Sequence, residues 1–297
     1  MDRTSYFIEN KALFGSYPNN DFIQEYENNG IRHFIDLTEK NEKGVIPYKT
    51  SYNYIHYPIQ DQHCPSDWKS FACFIVKIGN LILNLPENEK VLITCRGGHG
   101  RSGVVVASLF CYLYKMNPVE ALAKTSICHS KRVEMKEKWR KIGSPQTRQQ
   151  KNFVMKFFEP LYMFEPYSDY FTKDFDNDSK LRVEIPGFGL FSTANAAYQA
   201  FKDPYNNQYV KELELETSPE KIEKISKKCS IRTDWNDIKE YIMYKILQYK
   251  FHQHPGIYRN LLSTGLRPIM FCRDESVDRN TLVKLLDKTR EKGLICA

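Results

Sequence analysis

The sequence predicts a mixed α/β domain, a central mixed sheet flanked by helices, followed by a mainly helical α+β domain. Three observations carry this. Short apolar runs alternate with polar, helix-like stretches through the first half. A cysteine stands between an apolar strand and a glycine-rich loop in "VLITCRGGHGRSGVVVASLF". A proline-punctuated stretch, "EPLYMFEPYSDYF", separates two halves of different pattern. With 297 residues the chain is about twice a typical domain. The expected division is 1–160 and 161–297, with the boundary near Pro160 to Pro166.

The runs "YFIE", "ALFG", "RHFIDL" and "YNYIHYPI" read as strands, and "NDFIQEYENNG" as a helix stopped by Gly30. From Ser66, taken as an N-cap, Trp68, Phe71, Ile75, Ile78, Ile82 and Leu85 recur at helical spacing until Pro86. The chain then enters the strand "KVLIT", the glycine loop, and a helix from Arg101 to about Lys115. Asn117 caps the next helix, with Pro118 at its first position. A further helix spans about Thr147 to Phe158. In the second half, "LRVEIPGFGLF" reads as a strand pair and "TANAAYQAFKD" as a helix. "TSPEKIEKISKK" carries a capping-box spacing in Thr217 and Glu220. The longest helix runs from near Asp234 to Phe251, with Ile238, Ile242, Ile246 and Tyr249 on its inner stripe.

Composition narrows the function classes. Apolar residues at 41% and aromatics at 13% argue against disorder, and no apolar run reaches the length of a membrane span. "MDRTSYFIEN" lacks a charged leader followed by an apolar run, so the expected location is cytoplasmic, without a membrane partner. Eight cysteines without a C-x-x-C pair fit reduced, mostly buried thiols better than a disulfide frame or a zinc cluster. No metal and no cofactor are expected. The formal charge of +7 favours phosphorylated or otherwise anionic partners.

Strand, glycine turn and helix form an anion-binding arrangement, because the amides of the turn and helix start converge on one spot. In "CRGGHGR", the residues Arg96, Gly97, Gly98, His99 and Gly100 would supply that ring. Arg101 would grip two phosphate oxygens with its planar fork. The same positive surroundings favour a thiolate. Cys95 would then attack phosphorus, giving a cysteinyl-phosphate, and Ser102 would donate a hydrogen bond to the departing sulfur. Asp61 in "YPIQDQHCPS" is the expected proton donor to the leaving group, with Asp36 of "RHFIDLT" as second choice, read as a structural carboxylate. His99 reads as a rim residue, and Cys64 as a bystander thiol or a disulfide partner of Cys95. The plain alternative is a buried, inert Cys95.

On these residues, roughly 5 to 158 resemble the dual-specificity branch of the cysteine-dependent tyrosine phosphatase superfamily. The loop "TCRGGHGRSG", the acid loop "IQDQHCPS" and the trailing "SPQTRQQ" match its pattern. The resemblance implies Cys95 as nucleophile, Arg101 as phosphate clamp, Asp61 as general acid, Ser102 as the thiolate-assisting hydroxyl and Gln150 as a water-positioning residue. Thr94 stands where the family has histidine, which bears on rate. The short first half implies a shallow pocket open to phosphotyrosine, phosphoserine and phosphothreonine on protein substrates. An RNA 5′-phosphatase of the same fold stays as an alternative.

Taken alone, Lys202, Arg232, Trp235 and Lys250 read equally as capping and surface residues of a helical domain. Their order resembles the NADAR family, over about residues 164 to 290, in "AYQAFK" with Gln199 and Lys202, "RTDW" with Arg232, Asp234 and Trp235, and "IMYKILQYKF" with Lys250. The resemblance implies a site for ADP-ribose, a nucleotide or ADP-ribosylated nucleic acid, and N-glycosidic chemistry. Asn195 occupies the position of the family's glutamate, and an amide cannot act as a general base. The expectation is therefore an ADP-ribose reader, or an N-glycosidase using another carboxylate such as Asp234 or Asp274. A slow, phosphate-binding first domain beside such a reader is the rival for the whole chain.

Overall fold

Five strands build the sheet of the first unit, in the order β1-β2-β5-β3-β4. β1 (Thr4–Ile8) and β2 (Ala12–Ser16) pair antiparallel, and α1 (Asn20–Asn28) leads to β3 (Ile31–Asp36). β4 (Asn53–His56) closes the far edge, and α2 (Trp68–Leu83) delivers the chain to β5 (Lys90–Cys95). β5 lies between β2 and β3, parallel to both. Its residues from Val91 to Cys95 are all buried, as a central parallel strand covered on both faces requires. α3 (Arg101–Tyr114) follows, buried continuously from Arg101 to Tyr112. α4 (Pro118–Ser130), α5 (Glu137–Ile142) and α6 (Arg148–Phe157) complete the unit.

The computed structural model describes residues 1–163, 170–271 and 277–295, and divides the chain into Met1–Glu159 and Pro160–Ala297. The expected boundary stretch, Pro160 to Pro166, falls partly outside the described residues, as does Asp274.

The second unit begins with β6 (Leu161–Met163) and a 3-10 turn, Tyr170–Phe175. β7 (Val183–Ile185) and β8 (Gly189–Phe191) form a hairpin before α7 (Ala194–Ala200), α8 (Asn207–Leu215) and α9 (Pro219–Ser226). α10 (Trp235–Gln253) and α11 (Pro255–Ser263) follow, then β9 (Ile269–Phe271), which pairs parallel with β6, and α12 (Val277–Ile295). Ile242, Met243, Ile246, Leu247 and Phe251 of α10 share one core with Ala194, Ala196, Ala197 and Ala200 of α7. The long helix packs on the core through Ile242 and Ile246 of the expected stripe, with Ile238 partly buried, but Tyr249 is exposed and Met243, Leu247 and Phe251 complete the inner face.

Two caps differ from expectation. α2 is capped by Asp67, whose carboxylate accepts from the Ser70 N–H at 3.0 Å, and not by Ser66. α9 is capped by Ser218, because the N–H groups of Thr217 and Ser218 both turn back to the Glu216 carboxylate at 2.9 Å. The Glu220 side chain accepts from Ser218 Oγ at 2.8 Å instead of completing a box with Thr217. α5 has no sequence signal, since none of its six residues is buried and it carries no apolar stripe. Among the described residues no helix is long and apolar enough to cross a membrane, and no group of three His, Cys, Asp or Glu is placed to hold a metal ion.

Candidate active site

The loop between β5 and α3 opens at the carboxyl edge of the sheet, where open α/β sheets place their ligand sites. Cys95 ends β5 beside Ser16 of β2 and is 3% exposed. Gly98 has φ +70°, and a Cβ there would lie 2.3 Å from the Gly15 carbonyl carbon. Only glycine permits this loop to rest directly on β2. The carbonyls of Arg96, Gly98 and His99 are taken from behind, by the Tyr17 N–H at 3.2 Å, Arg132 Nη2 at 3.2 Å and Ser144 Oγ at 2.7 Å. Because each peptide is planar and trans, the amide following each of these carbonyls points the opposite way, towards the cavity. An anion cradle results from the backbone alone.

That cavity is ≈150 Å³, floored by Cys95 and lined by Asp61, Gln62, Arg96, Arg101, Trp139 and Gln146 among others. Pockets for whole drug-sized ligands start at about 300 Å³, so this one suits a phosphoryl group and its first ester atoms. The Cys95 Sγ lies 3.5 Å from Ser102 Oγ. Thr94 is buried and donates from Oγ1 to the Ile35 carbonyl at 3.2 Å, so the residue before the cysteine is fastened into the sheet.

Arg101 is 1% exposed, and both terminal nitrogens of its guanidinium are engaged. Nη1 and Nη2 donate to the two oxygens of Glu42 at 2.6 and 2.7 Å, Nη2 also to Asp61 at 2.9 Å, and Nη1 to the Ile59 carbonyl at 2.9 Å. Burial opposes the guanidinium's charge, but Glu42, Cys95 and Asp61 outweigh it and keep Arg101 charged beyond the ordinary arginine range. Burial also works against Glu42, and the bonds from Arg101 and the Glu39 N–H still hold its carboxyl below the usual range. Arg96 Nη2 reaches Asp61 at 2.7 Å, so Asp61 spans two guanidiniums at the cavity mouth. Glu42 was invisible to sequence reasoning, because it lies 59 residues from Arg101 in an unpatterned turn.

The other sequence candidates divide clearly. Asp36 is structural: 2% exposed, it accepts from Thr38 N and Oγ1 at 2.8 Å and from the Tyr54 hydroxyl at 2.5 Å. Gln150 lines the cavity, but its amide is committed to the Thr147 N–H at 3.1 Å and the His63 carbonyl at 3.2 Å. It caps α6 and ties the Asp61 loop down while lining the cavity. His99 turns its ring behind the loop, with Nδ1 2.8 Å from His129 Nε2 and its face stacked on Trp139. Cys64 is unpaired and half-buried, and burial pushes its thiol up.

Behind the loop, Arg132 and His129 were also missed. Arg132 is 2% exposed and bridges the carbonyls of Phe14 and Gly98 at 3.2 Å. Its burial lowers its pKa to about 10. Burial, then the Arg132 charge, pushes His99 to about 4 and His129 to about 3, so the pair stays neutral.

In the second unit the candidates fall into two groups. Arg232 grips Asp234 through Nε and Nη2 at 2.5 and 2.9 Å, while Lys202 Nζ lies 5.9 Å from the Trp235 ring. Asp234 is thus held as an ion-pair partner. Asn195 and Gln199 join through Gln199 Nε2 to Asn195 Oδ1 at 3.0 Å. Lys250, fully buried, donates to the Asp176 carbonyl at 2.5 Å and Ser179 Oγ at 2.8 Å, fastening the 174–179 segment rather than facing solvent.

Known proteins match the chain in two consecutive parts. Residues 3–154 match the family model described as "Swiss Army Knife protein, DSP-PTPase phosphatase domain", and residues 156–290 match the NADAR domain model. "Putative tyrosine phosphatase 067L" of Invertebrate iridescent virus 3 is 37% identical over 53% of this chain and 66% of its own length. "Putative tyrosine phosphatase 197R" of Invertebrate iridescent virus 6 is 29% identical over 96% of this chain and 89% of its own. Among solved structures, Tk-PTP in its active form is 23% identical, with a TM-score of 0.41, over 52% of this chain and 94% of that one. The E. coli protein YbiA is also 23% identical, with a TM-score of 0.41, over 46% of this chain and 86% of that one. The chain belongs to the cysteine-dependent DSP-PTPase phosphatase family, with a NADAR domain following its phosphatase domain.

Proposed function

We propose that the first unit hydrolyses phosphomonoesters on proteins, phosphotyrosine and phosphoserine or phosphothreonine alike, through a cysteinyl-phosphate. The observation that carries this is Arg101 and Asp61, 2.9 Å apart, over a small cavity floored by Cys95. An entering phosphoryl group takes the place of Asp61 on the Arg101 fork, while Glu42 keeps the guanidinium in position. Cys95 Sγ attacks phosphorus, the S–P bond forms and the ester P–O bond breaks. Asp61, displaced from the guanidinium, takes up a proton from solvent and gives it to the leaving oxygen. Water then attacks phosphorus, Asp61 recovers a proton, and the P–S bond breaks with Ser102 donating to the departing thiolate.

The test is hydrolysis of an aryl phosphate and of phosphotyrosine and phosphothreonine peptides by the full chain, beside Cys95→Ser. Activity that survives Cys95→Ser sinks the mechanism. A second reading, an RNA 5′-phosphatase, draws on Arg96, whose half-exposed guanidinium offers a second anion contact beside Arg101. A kcat/KM for 5′-triphosphorylated RNA above that for every phosphopeptide selects it. For the second unit we infer a site for ADP-ribose-type ligands around Asn195 and Gln199, supported by the NADAR match over residues 156–290. Titration of the full chain with ADP-ribose tests it.

A further inference from the structure

Three arginines are no more than 3% exposed: Arg101, Arg132 and Arg290. A guanidinium taken out of water is costly unless an opposite charge meets it. Arg101 meets Glu42 and Asp61, and Arg290 meets Asp287 at 2.6 Å. Arg132 has no carboxylate partner among the described residues, and its Nε and Nη1 are buried without a hydrogen-bond partner in the protein. The catalytic steps leave this charge without a task.

Its surroundings point towards the cavity. Nη2 divides its bond between the carbonyls of Phe14 on β2 and Gly98 in the loop, both at 3.2 Å, and the Phe14 ring centre lies 5.3 Å from the guanidinium carbon. Arg140 of α5 donates to the Arg132 carbonyl at 3.0 Å, which fixes the residue under the loop. Of the three loop carbonyls held from behind, those of Arg96 and His99 take neutral donors, and that of Gly98 takes a charged one. A charged donor polarises the Gly98–His99 peptide, so the His99 N–H at its other end, turned to the cavity, becomes the stronger donor to an anion. The titratable groups facing Arg132 are Tyr26 of α1, His99, His129 of α4 and Cys95. Burial pushes Tyr26 up to about 12, and the two histidines stay neutral. Negative charge therefore reaches the guanidinium first from the Cys95 side of the loop.

We propose that Arg132 is a positioning residue of the first unit: a buried counter-charge beneath the loop that tightens its hold on doubly charged tetrahedral oxyanions through the Gly98–His99 peptide. This rests on the reading of the loop as a phosphoryl site and adds a preference to it. The loop selects dianions, as phosphomonoesters are at neutral pH, over monoanions such as phosphodiesters. Coulomb energy scales with the charge of the ion, and protein between guanidinium and cavity screens far less than water does. Arg101 meets the ligand's oxygens and reads their geometry, whereas Arg132 stays behind the loop and reads their charge.

The experiment measures, by calorimetry on the full chain at neutral pH, the binding of tungstate, a dianion, and of perrhenate, a monoanion of the same tetrahedral shape. Arg132→Gln keeps a donor for the carbonyls and removes the charge. It is expected to weaken tungstate about 25-fold and perrhenate about fivefold, because the loss per unit charge multiplies. Arg132→Lys restores the charge and is expected to hold tungstate affinity within about threefold of wild type. His129→Glu gives Arg132 the carboxylate it lacks while leaving both carbonyl bonds in place. It is expected to weaken tungstate more than perrhenate in the same way, and decides the matter if Arg132→Gln does not fold. Equal losses for the two ions would make Arg132 a structural support and overturn the proposal. So would tungstate affinity that is unchanged in Arg132→Gln, or that falls as far in Arg132→Lys. Calorimetry needs no turnover: a chain that prefers tungstate through Arg132 yet hydrolyses no phosphomonoester supports this assignment and ends the phosphatase reading. A wild-type chain that binds neither ion overturns the assignment.

Discussion

The two units place charge at their sites in opposite ways. In the first, one loop carries the proposed nucleophile, the amide ring and the guanidinium within the run Cys95–Ser102, and two carboxylates from elsewhere come to it. In the second, no single stretch is sufficient, and the polar cluster is assembled from the 174–179 segment, α7 and α10. A loop that brings its own machinery needs the rest of the fold only for alignment. A distributed cluster depends on every segment being held, and the fully buried Lys250 fastens two of its residues, Asp176 and Ser179.

The sharpest way to separate the units is Cys95→Ser. Loss of a nucleophile is expected to reduce aryl phosphate hydrolysis by about 10⁴-fold or more, while ADP-ribose binding by the same protein stays unchanged. Parallel kinetic and calorimetric measurements on one preparation read both. A loss of both functions would break the comparison and make the chain one coupled machine.

Next in size is Gly98→Ala. A Cβ at φ +70°, 2.3 Å from backbone of β2, forces the loop away from the strand. The expected cost is about 2–4 kcal/mol of stability, with most of the phosphatase rate lost, seen by denaturant titration and initial rates. Ordinary stability in this variant would mean that the loop has room to shift.

These two residues also mark where the sequence speaks and where it falls silent. Cys95, Gly98, Arg101 and Ser102 are legible because strand, glycine turn and helix must be adjacent in the chain for an amide ring to form. Asp61 is legible because its loop leads into the helix before β5. The same holds for the strands, whose apolar runs are set by burial in a five-stranded sheet. Glu42, Arg132 and Asp178 are not legible. They meet Arg101, Gly98 and Asn195 across 59, 34 and 17 residues, and side-chain pairs at such separations leave no periodicity or motif. Gln150 shows a third case: its identity stood out, but its task depends on Thr147 and His63, which only the fold brings to it.

Glu42→Gln sharpens the role of the first unreadable residue. Arg101 donates to both oxygens of Glu42, and an amide offers one acceptor and one N–H₂ group that opposes the fork. The guanidinium loses its bidentate seat while Asp61 and the Ile59 carbonyl remain. A fall of about tenfold in kcat/KM for aryl phosphate is expected, carried mainly by KM because Arg101 meets the phosphate first. An unchanged kcat/KM would reduce Glu42 to a cover over Arg101.

The smallest effects per pH unit lie in the buried bases, and they contrast the units once more. His99 and His129, at about 4 and 3, bind fewer protons when folded than at their ordinary 6.5 when unfolded. Unfolding therefore takes up protons between about pH 6.5 and 3, and the first unit loses stability as pH falls through that window. Lys250 is lowered by burial from 10.5 to about 7, against the opposing charges of Asp176, Asp174 and Asp178. It binds fewer protons folded than unfolded between pH 7 and 10.5, so its contribution to the second unit's stability rises as pH rises through that range. Thermal midpoints should drift by about a few degrees per pH unit, acid-sensitive in one window and alkali-favoured in the other. His129→Gln should weaken only the acid window, leaving the His99 share, and Lys250→Met should flatten only the alkaline one. A single variant that flattens both would show that one titration governs the whole chain, and the contrast between a self-contained loop and an assembled site would lose its thermodynamic footing.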